Sequence, residues 1–463
     1  MAELIDLFDC VSPLDYRYYG RKKELVKELS EYFSENAKIR CQALVEAEYA
    51  KVLAKKKIIP KKTADLIVSA ALRVRPELVY REEDKIKHDV RALVNCICDR
   101  LPEKDKPFVH LGLTSYDVVD TANAVRFKTA VEKTILPRME KLERTLIRLS
   151  LREKKTIQIG RTHGQFAEPV TFGYAMAEFV ERFGERIVAV ENAKDELAGK
   201  ASGAVGAANA LSLISSNPME IEALLMKRLG LKQARHSTQI TPREPMLDLQ
   251  HSIVSSFGVL ANLADDLRHL QRSELSEVFE QFGKKQVGSS TMPQKRNPIT
   301  FENVKSLWKA FMPCSTTFYM DQISEHQRDL TNSASARFAQ ELFVSFIIAI
   351  DKMEKAVSNL KVDRKRMKEN FDNAKSGLVA EPLYVLLAKY GHPEAHEAVR
   401  RLTLKAEKNS STLMEEARKS TSLDRFFGKF SRKEVALLNK PELYTGVSAK
   451  KTEKICSYWK RQL

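Results

Sequence analysis

Apolar residues along this chain recur at helical spacing. Leu260, Leu263, Leu267 and Leu270 stand three or four apart, which puts them on one stripe of a helix. The tract from Val259 to Phe282 holds neither Gly nor Pro, and neither does the longer one from Cys314 to Ser376. These two residues are the strongest interrupters of a helix, so such tracts favour long, unbroken ones. No convincing run alternates apolar and polar residues as a half-buried strand requires, and no repeat or low-complexity tract occurs. The pattern predicts an all-α protein with unusually long helices.

A length of 463 residues suits two or three domains rather than one core. Pro102 and Pro107 interrupt the chain ahead of His110, which predicts a first helical domain over 1–110. The long helices then fill a central domain over 111–360. Breaks at Gly377, Pro382, Gly391-His392-Pro393 and Pro441 mark a third region of shorter elements over 361–463.

Composition narrows the function. Lys and Arg outnumber Asp and Glu by 77 to 61, a formal net charge of +16, so the surface field attracts anions. Short runs such as Lys55-Lys56-Lys57, Lys61-Lys62 and Lys450-Lys451 lack interleaved aromatics and read as solvated faces, not as a nucleic-acid platform. A small polyanionic substrate is the expected partner. Cys10, Cys41, Cys96, Cys98, Cys314 and Cys456 give neither a disulfide framework nor a zinc ribbon. Cys96 and Cys98 stand two apart, on different faces of a helix, and read as buried thiols, so no metal and no cofactor are expected. The acidic opening Met-Ala-Glu-Leu-Ile-Asp carries no secretory signal, and no apolar run reaches membrane-spanning length, so the expected compartment is the cytoplasm.

Three constellations carry candidate chemistry. Gly288-Ser289-Ser290-Thr291-Met292-Pro293-Gln294-Lys295-Arg296-Asn297-Pro298 is a loop by its Gly, Ser and Pro content, set between helical tracts. Gly160-Arg161-Thr162-His163-Gly164-Gln165 sets a histidine between glycines in a polar loop, where taken alone it is more often structural. In His110-Leu111-Gly112-Leu113-Thr114-Ser115-Tyr116-Asp117, Thr114 or Ser115 with Asp117 is a helix N-cap pair. A helix start with free N–H groups is also a natural carboxylate site.

The first string resembles the signature of the fumarase/aspartase superfamily, Gly-Ser-x-x-Met-Pro-x-Lys-x-Asn. Members eliminate fumarate or a close relative across a C–N or C–O bond. The resemblance implies Ser289 as general base, with Ser290, Met292, Lys295 and Asn297 of the loop around the substrate. Proton loss beside a carboxylate builds a doubly charged aci-carboxylate, which needs concentrated positive potential and aimed N–H donors. Lys295 and the loop amides suit that need, and Asn297 either binds a substrate carboxylate or braces the loop. Arg161-Thr162-His163-Gly164 resembles the second motif, implying His163 as general acid with Glu302 as its partner. Otherwise Glu302 is an ordinary first-turn glutamate. Thr114-Ser115-x-Asp117-x-x-Asp120-Thr121 resembles the first motif, whose Thr-Ser pair holds a succinyl carboxylate; His110 and His88-Asp89 match positions lining the pocket.

Within the superfamily, three further strings resemble the adenylosuccinate lyase family. Ser12-Pro13-Leu14-Asp15-Tyr16-Arg17-Tyr18 is similar to an element in which Arg17 and Tyr18 would grip a nucleotide phosphate. Gln327-Arg328-Asp329-Leu330-Thr331-Asn332-Ser333 with Arg337 is similar to its phosphate clamp, Arg328, Ser333 and Arg337; the last two, four apart, would share a helix face. Thr238-Gln239 resembles the pair whose glutamine contacts the succinyl group. The resemblance runs over nearly the whole chain and implies four chains with shared active sites. Gln294 departs from the His or Tyr usual there and matches the argininosuccinate lyases, whose Gly-Arg-x-Arg-Asn-Asp-Gln type motif is missing. A helical scaffold or basic nucleic-acid binder is the reading from another class; intact Ser289, His163, Lys295 and Glu302 weigh against it.

Overall fold

The computed structural model describes residues 6–283 and 285–463. Helices dominate as expected, and the strands among the described residues form three two-stranded pairs. The chain divides into two compact units. The first takes residues 1–140, 185–260 and 306–351; the second takes 141–184, 261–305 and 352–463. The divisions fall inside helices Leu136–Arg152, Phe172–Asp195, Glu244–Leu270, Ile299–Phe311 and Ala339–Ser358, so each of these gives a segment to both units.

In the first unit the helix Glu35–Lys55 is the axis of the core. Ser34 starts it, its Oγ accepting from the Ala37 N–H at 3.2 Å. Ala37, Val45, Ala47, Tyr49, Val52 and Leu53 are buried around its whole circumference, as a helix enclosed by others requires. Helices Lys61–Ala71, Ser115–Ala130 and Pro218–Leu229 pack against it. Phe33, Phe127 and Phe343 form an aromatic cluster, with Phe127 and Phe343 centroids 4.8 Å apart. Truncating Phe127 to Ala would cost about 3–5 kcal/mol by the cavity it leaves.

One carboxylate organises the start of helix Ser115–Ala130. Asp117 accepts from the Thr114 N–H at 2.8 Å, which caps the helix. It also accepts from the Ser202 N–H at 3.1 Å, from the Gly203 N–H at 3.1 Å, and from the ammonium of fully buried Lys200. Lys200 gives a further bond to the Gly203 carbonyl at 3.0 Å. Helix start and loop are thus fastened at a single point, and removing either charge would leave the other buried and unpaired, a loss of about 3–5 kcal/mol.

The second unit holds a hairpin that the apolar pattern did not announce, Ile157–Thr162 paired with Gln165–Thr171. A register shift between Ile159 and Arg161 breaks the alternation that would betray a strand. An added Cβ on Gly160 would lie 2.5 Å from the Glu168 carbonyl oxygen, so this position admits glycine alone. Ile159 nevertheless reaches a core of Phe371, Ala374 and Leu378. Buried Glu277 ties the hairpin down, accepting from Arg161 at 2.7 Å, Gln158 at 2.8 Å and Asn370 at 3.0 Å. The last helix, Ser448–Gln462, docks through Trp459, whose indole N–H donates to Glu181 at 2.9 Å. A Cβ on Gly184 would sit 2.4 Å from that ring, so a bare backbone is required there.

The tract from Cys314 to Ser376 is not one helix. After Cys314–Met320 the chain turns, and helix resumes only at Ala339. Polar side chains take the backbone groups instead. Asp329 accepts from the N–H groups of Glu325 and Thr331, both at 2.8 Å, and Asn332 donates to the Asp321 carbonyl at 2.7 Å. Such local bonds compete with the helix without any Gly or Pro.

Candidate active site

The first unit encloses a cavity of about 540 Å³. His88, Asp89, Ser115, Gln239, Arg328, Ser333 and Arg337, seven of the candidate substrate-binding residues, line it. His88 caps helix Asp89–Cys98, its Nδ1 accepting from the Arg91 N–H at 3.3 Å, which leaves Nε2 3.5 Å from the Ser115 hydroxyl. Gln239 is placed by its backbone N–H, which donates to the Gln327 carbonyl at 3.2 Å and so joins its segment to the one carrying Arg328. The Arg328 guanidinium lies over the Tyr116 ring, 3.8 Å from its centroid, and donates to the Tyr116 hydroxyl. Ser333 and Arg337 do not share an α-helical face: Ser333 sits in a turn and Arg337 in the 3-10 segment Ser335–Phe338. The polar turn that ends helix Cys314–Met320 is the reason, and both side chains still reach the cavity.

His110 is not among the residues lining the cavity and adopts a left-handed conformation, φ 59°. Its Nδ1 is 2.5 Å from the carboxylate of Glu46, on the buried core helix. Burial alone would lower the imidazole pKa, but the Glu46 charge and hydrogen bond outweigh it and the net shift is upward. Thr114 serves as the helix cap, so its backbone is committed to Asp117. Arg17 and Tyr18 lie in the helical turn Leu14–Gly20 and are not among the residues lining the cavity; Arg17 is exposed.

The second unit carries the remaining candidates. In the Gly288–Pro298 loop, the Ser289 Oγ accepts from the N–H groups of Met292 at 3.0 Å and Thr291 at 3.3 Å. The loop closes tightly, because a Cβ on Gly288 would lie 1.9 Å from the Lys295 carbonyl oxygen. Asn297 braces it, donating to the Gly288 carbonyl at 2.9 Å, and Gln271 donates to the Arg296 carbonyl at 3.2 Å. The Glu280 carboxylate caps the following helix, accepting from Phe301 at 2.8 Å and Thr300 at 3.1 Å. Met292, Lys295, Asn297 and Glu302 line a broad depression of about 1090 Å³, together with Arg268, Arg272 and Arg296. Ser290 is exposed on the loop.

His163 stands at the tip of the hairpin. Thr162 pairs with Gln165, leaving His163-Gly164 as a two-residue connection with φ 54° and 76°. Two successive left-handed residues define the tight turn that suits strand twist, and a histidine held there is strained. The side chain is exposed, and among the described residues it forms no hydrogen bond or ion pair with Glu302 or Ser289.

The sequence did not single out Arg126, Lys38 and Arg243, three more cations of the cavity wall, or Glu46 and Tyr116 as partners. Glu46 was detectable in principle, as a carboxylate three or four residues from Ala43, Tyr49 and Ala50 and so on an apolar stripe of the helix. No group of three or more His, Cys, Asp or Glu among the described residues is arranged to hold a metal, and none of their helices is long and apolar enough to cross a membrane.

The chain is similar to known proteins in sequence and in fold. The chain is 35% identical to the adenylosuccinate lyase of Pyrococcus horikoshii over 455 residues, covering 97% of this chain and 98% of that one. It is 36% identical to the adenylosuccinate lyase of Pyrococcus abyssi over 457 residues, with the same coverage. A solved 3-carboxy-cis,cis-muconate lactonizing enzyme from Pseudomonas putida superposes with a TM-score of 0.82 at 23% identity, covering 94% of this chain and 97% of that one. Residues 16–310 match the family model described as Lyase, which makes the protein a lyase of the fumarase/aspartase type. Residues 324–426 match the one described as Adenylosuccinate lyase C-terminal. The chain belongs to the adenylosuccinate lyase family, whose members are C–N lyases.

Proposed function

We propose that the protein cleaves adenylosuccinate to AMP and fumarate, and the succinylated aminoimidazole carboxamide ribotide of purine synthesis by the same β-elimination. The observation that carries this reading is the Ser289 hydroxyl receiving two backbone N–H groups. Donors aimed at an oxygen favour its ionised form, which a serine needs to act as a base. The Ser289 alkoxide takes the proton from the carbon beside the substrate carboxylate. The electron pair forms the aci-carboxylate, with Lys295 supplying positive potential. It then collapses to fumarate as the C–N bond breaks, and His163 gives its proton to the leaving nitrogen. Glu302 sets the tautomer and basicity of that histidine.

In this reading Thr114, Ser115, His88, Asp89, His110 and Gln239 surround the succinyl group, and Arg17, Tyr18, Arg328, Ser333 and Arg337 hold the phosphate. The active unit is a homotetramer in which each site takes its three motifs from three chains. Among the described residues of one chain His163 forms no hydrogen bond or ion pair with Ser289 or Glu302, which is in keeping with that assembly. The protein works in the cytoplasm. Incubation with adenylosuccinate should yield fumarate and AMP in equal amounts; cleavage of argininosuccinate instead would move the protein to another branch.

A further inference from the structure

The last helix, Ser448–Gln462, buries one face. Ser448, Thr452, Cys456 and Trp459 recur along it at spacings of three and four, and the last three are at most 1% exposed. Polar bonds fasten its rim. Glu453 accepts from Lys154 at 2.5 Å, the Leu463 main-chain oxygen from Arg144 at 2.9 Å, and Glu181 from the Trp459 indole at 2.9 Å.

Beside Cys456 lie Glu143 and Ser150, seven residues and so about two turns apart on helix Leu136–Arg152. Glu143 is fully buried, and neither of its carboxyl oxygens has a hydrogen-bond partner among the described residues. The groups facing it offer no counterion. Helix Phe172–Asp195 brings Glu181, a second carboxylate, and the last helix brings Cys456, a thiol that burial, together with Glu143, pushes up to about 11. Glu354 of helix Ala339–Ser358 is engaged elsewhere, accepting from Lys141 at 3.1 Å and from Thr145 at 3.3 Å. Burial, with Glu181 adding repulsion, raises the Glu143 carboxyl from 4.5 to about 9, so near neutral pH it keeps its proton.

We propose that Glu143 is a proton latch for the last helix: its neutral carboxyl keeps Ser448–Gln462 docked, and when the helix lifts away the carboxyl meets water and gives up its proton. An ionised Glu143 left in place would be a buried charge facing another carboxylate, so ionisation and release go together. Docking carries no penalty below the ordinary carboxyl value of 4.5. From there up to about 9 the ratio of docked to released helix falls about tenfold per pH unit. The Cys456 thiol is uncovered by the same motion and reports it.

The test is labelling of Cys456 in the full-length protein with an uncharged maleimide, from about pH 6 to about pH 8.5, read by peptide mass spectrometry. Reagent is kept low enough for the helix to reclose between encounters. The labelling rate of the urea-unfolded chain at each pH divides out ionisation of the thiol itself. Wild-type protection should fall about tenfold per pH unit, whereas Glu143→Gln should be better protected and flat across the range. Thermal melts establish folding; Glu143→Met replaces a Gln variant that does not fold, and the wild-type slope is a test without either. Cys96, buried in the first unit, separates helix release from global unfolding, and its protection should not follow the Cys456 slope. Wild-type protection that ignores pH, the same slope in a folded variant, or a parallel loss at Cys96 would overturn the latch. No turnover is measured, so the result is independent of the lyase reading.

Discussion

The cavity of the first unit and the signature loop of the second handle polar groups in opposite ways. In the unit that holds the cavity, interior charges are mostly paired: Asp117 with Lys200, His110 with Glu46, Asp120 with Arg243. In the loop the charged side chains are exposed, and order comes from backbone carbonyls, the amides aimed at Ser289 and the brace from Asn297. Change in the wall should therefore alter stability and binding together, whereas change in the loop should alter rate and leave the fold alone. A base acts in the transition state, and its removal leaves ground-state binding largely intact.

The sharpest test is Ser289→Ala. Turnover of adenylosuccinate should fall about a thousandfold, roughly 4 kcal/mol of barrier, with the melting temperature within a degree or two of wild type. A large drop in melting temperature would erase the contrast between loop and wall. Next in size, His163→Ala and Ser289→Ala variants, each inactive, should recover about a quarter of wild-type sites when unfolded together and reassembled if, as proposed, each site draws the two residues from different chains. Mixtures that stay inactive after demonstrated subunit exchange would refute shared sites.

On the wall, Arg328→Ala should raise KM at least tenfold for the phosphorylated substrate and lower stability slightly, because Tyr116 loses its cation. A dephosphorylated nucleoside analogue turned over equally well would remove Arg328 from phosphate binding. The smallest effect concerns His110. Its folded pKa is raised, so the protonated pair with Glu46 adds stability below the ordinary histidine value, and that increment is lost as pH rises through the folded value. Glu46→Gln should lower the His110 pKa in an NMR titration and flatten this part of the stability profile. An unchanged pKa would separate the pair.

Much of this was readable from the sequence, and the exceptions share a cause. The leucine stripe Leu260–Leu263–Leu267 is buried as the spacing implied, because a helix needs only local periodicity. The hairpin Ile157–Thr171 was missed because its bulge at Gly160 and polar tip hide the alternation. The turn after Met320 was missed because Asp329 and Asn332 end helices through side-chain bonds that composition does not display. Seven substrate-binding candidates meet in one cavity, but Arg126 did not stand out, since a lone arginine on a helix reads as surface until its burial is known.

The interleaving of the two units sets a schedule for synthesis. The first unit lacks part of its chain until residue 351 has been made, and the second until the last helix arrives. Trp459 must find Gly184, a partner about 275 residues earlier, to complete its packing. Contacts of such sequence separation form slowly, because loop closure comes before any reward. Neither unit can mature on the ribosome as an independent N-terminal domain would. The nascent chain thus carries unfinished apolar surface until helix Ser448–Gln462 has been made, and deletion of that helix should be felt in yield of folded protein before it is felt in catalysis.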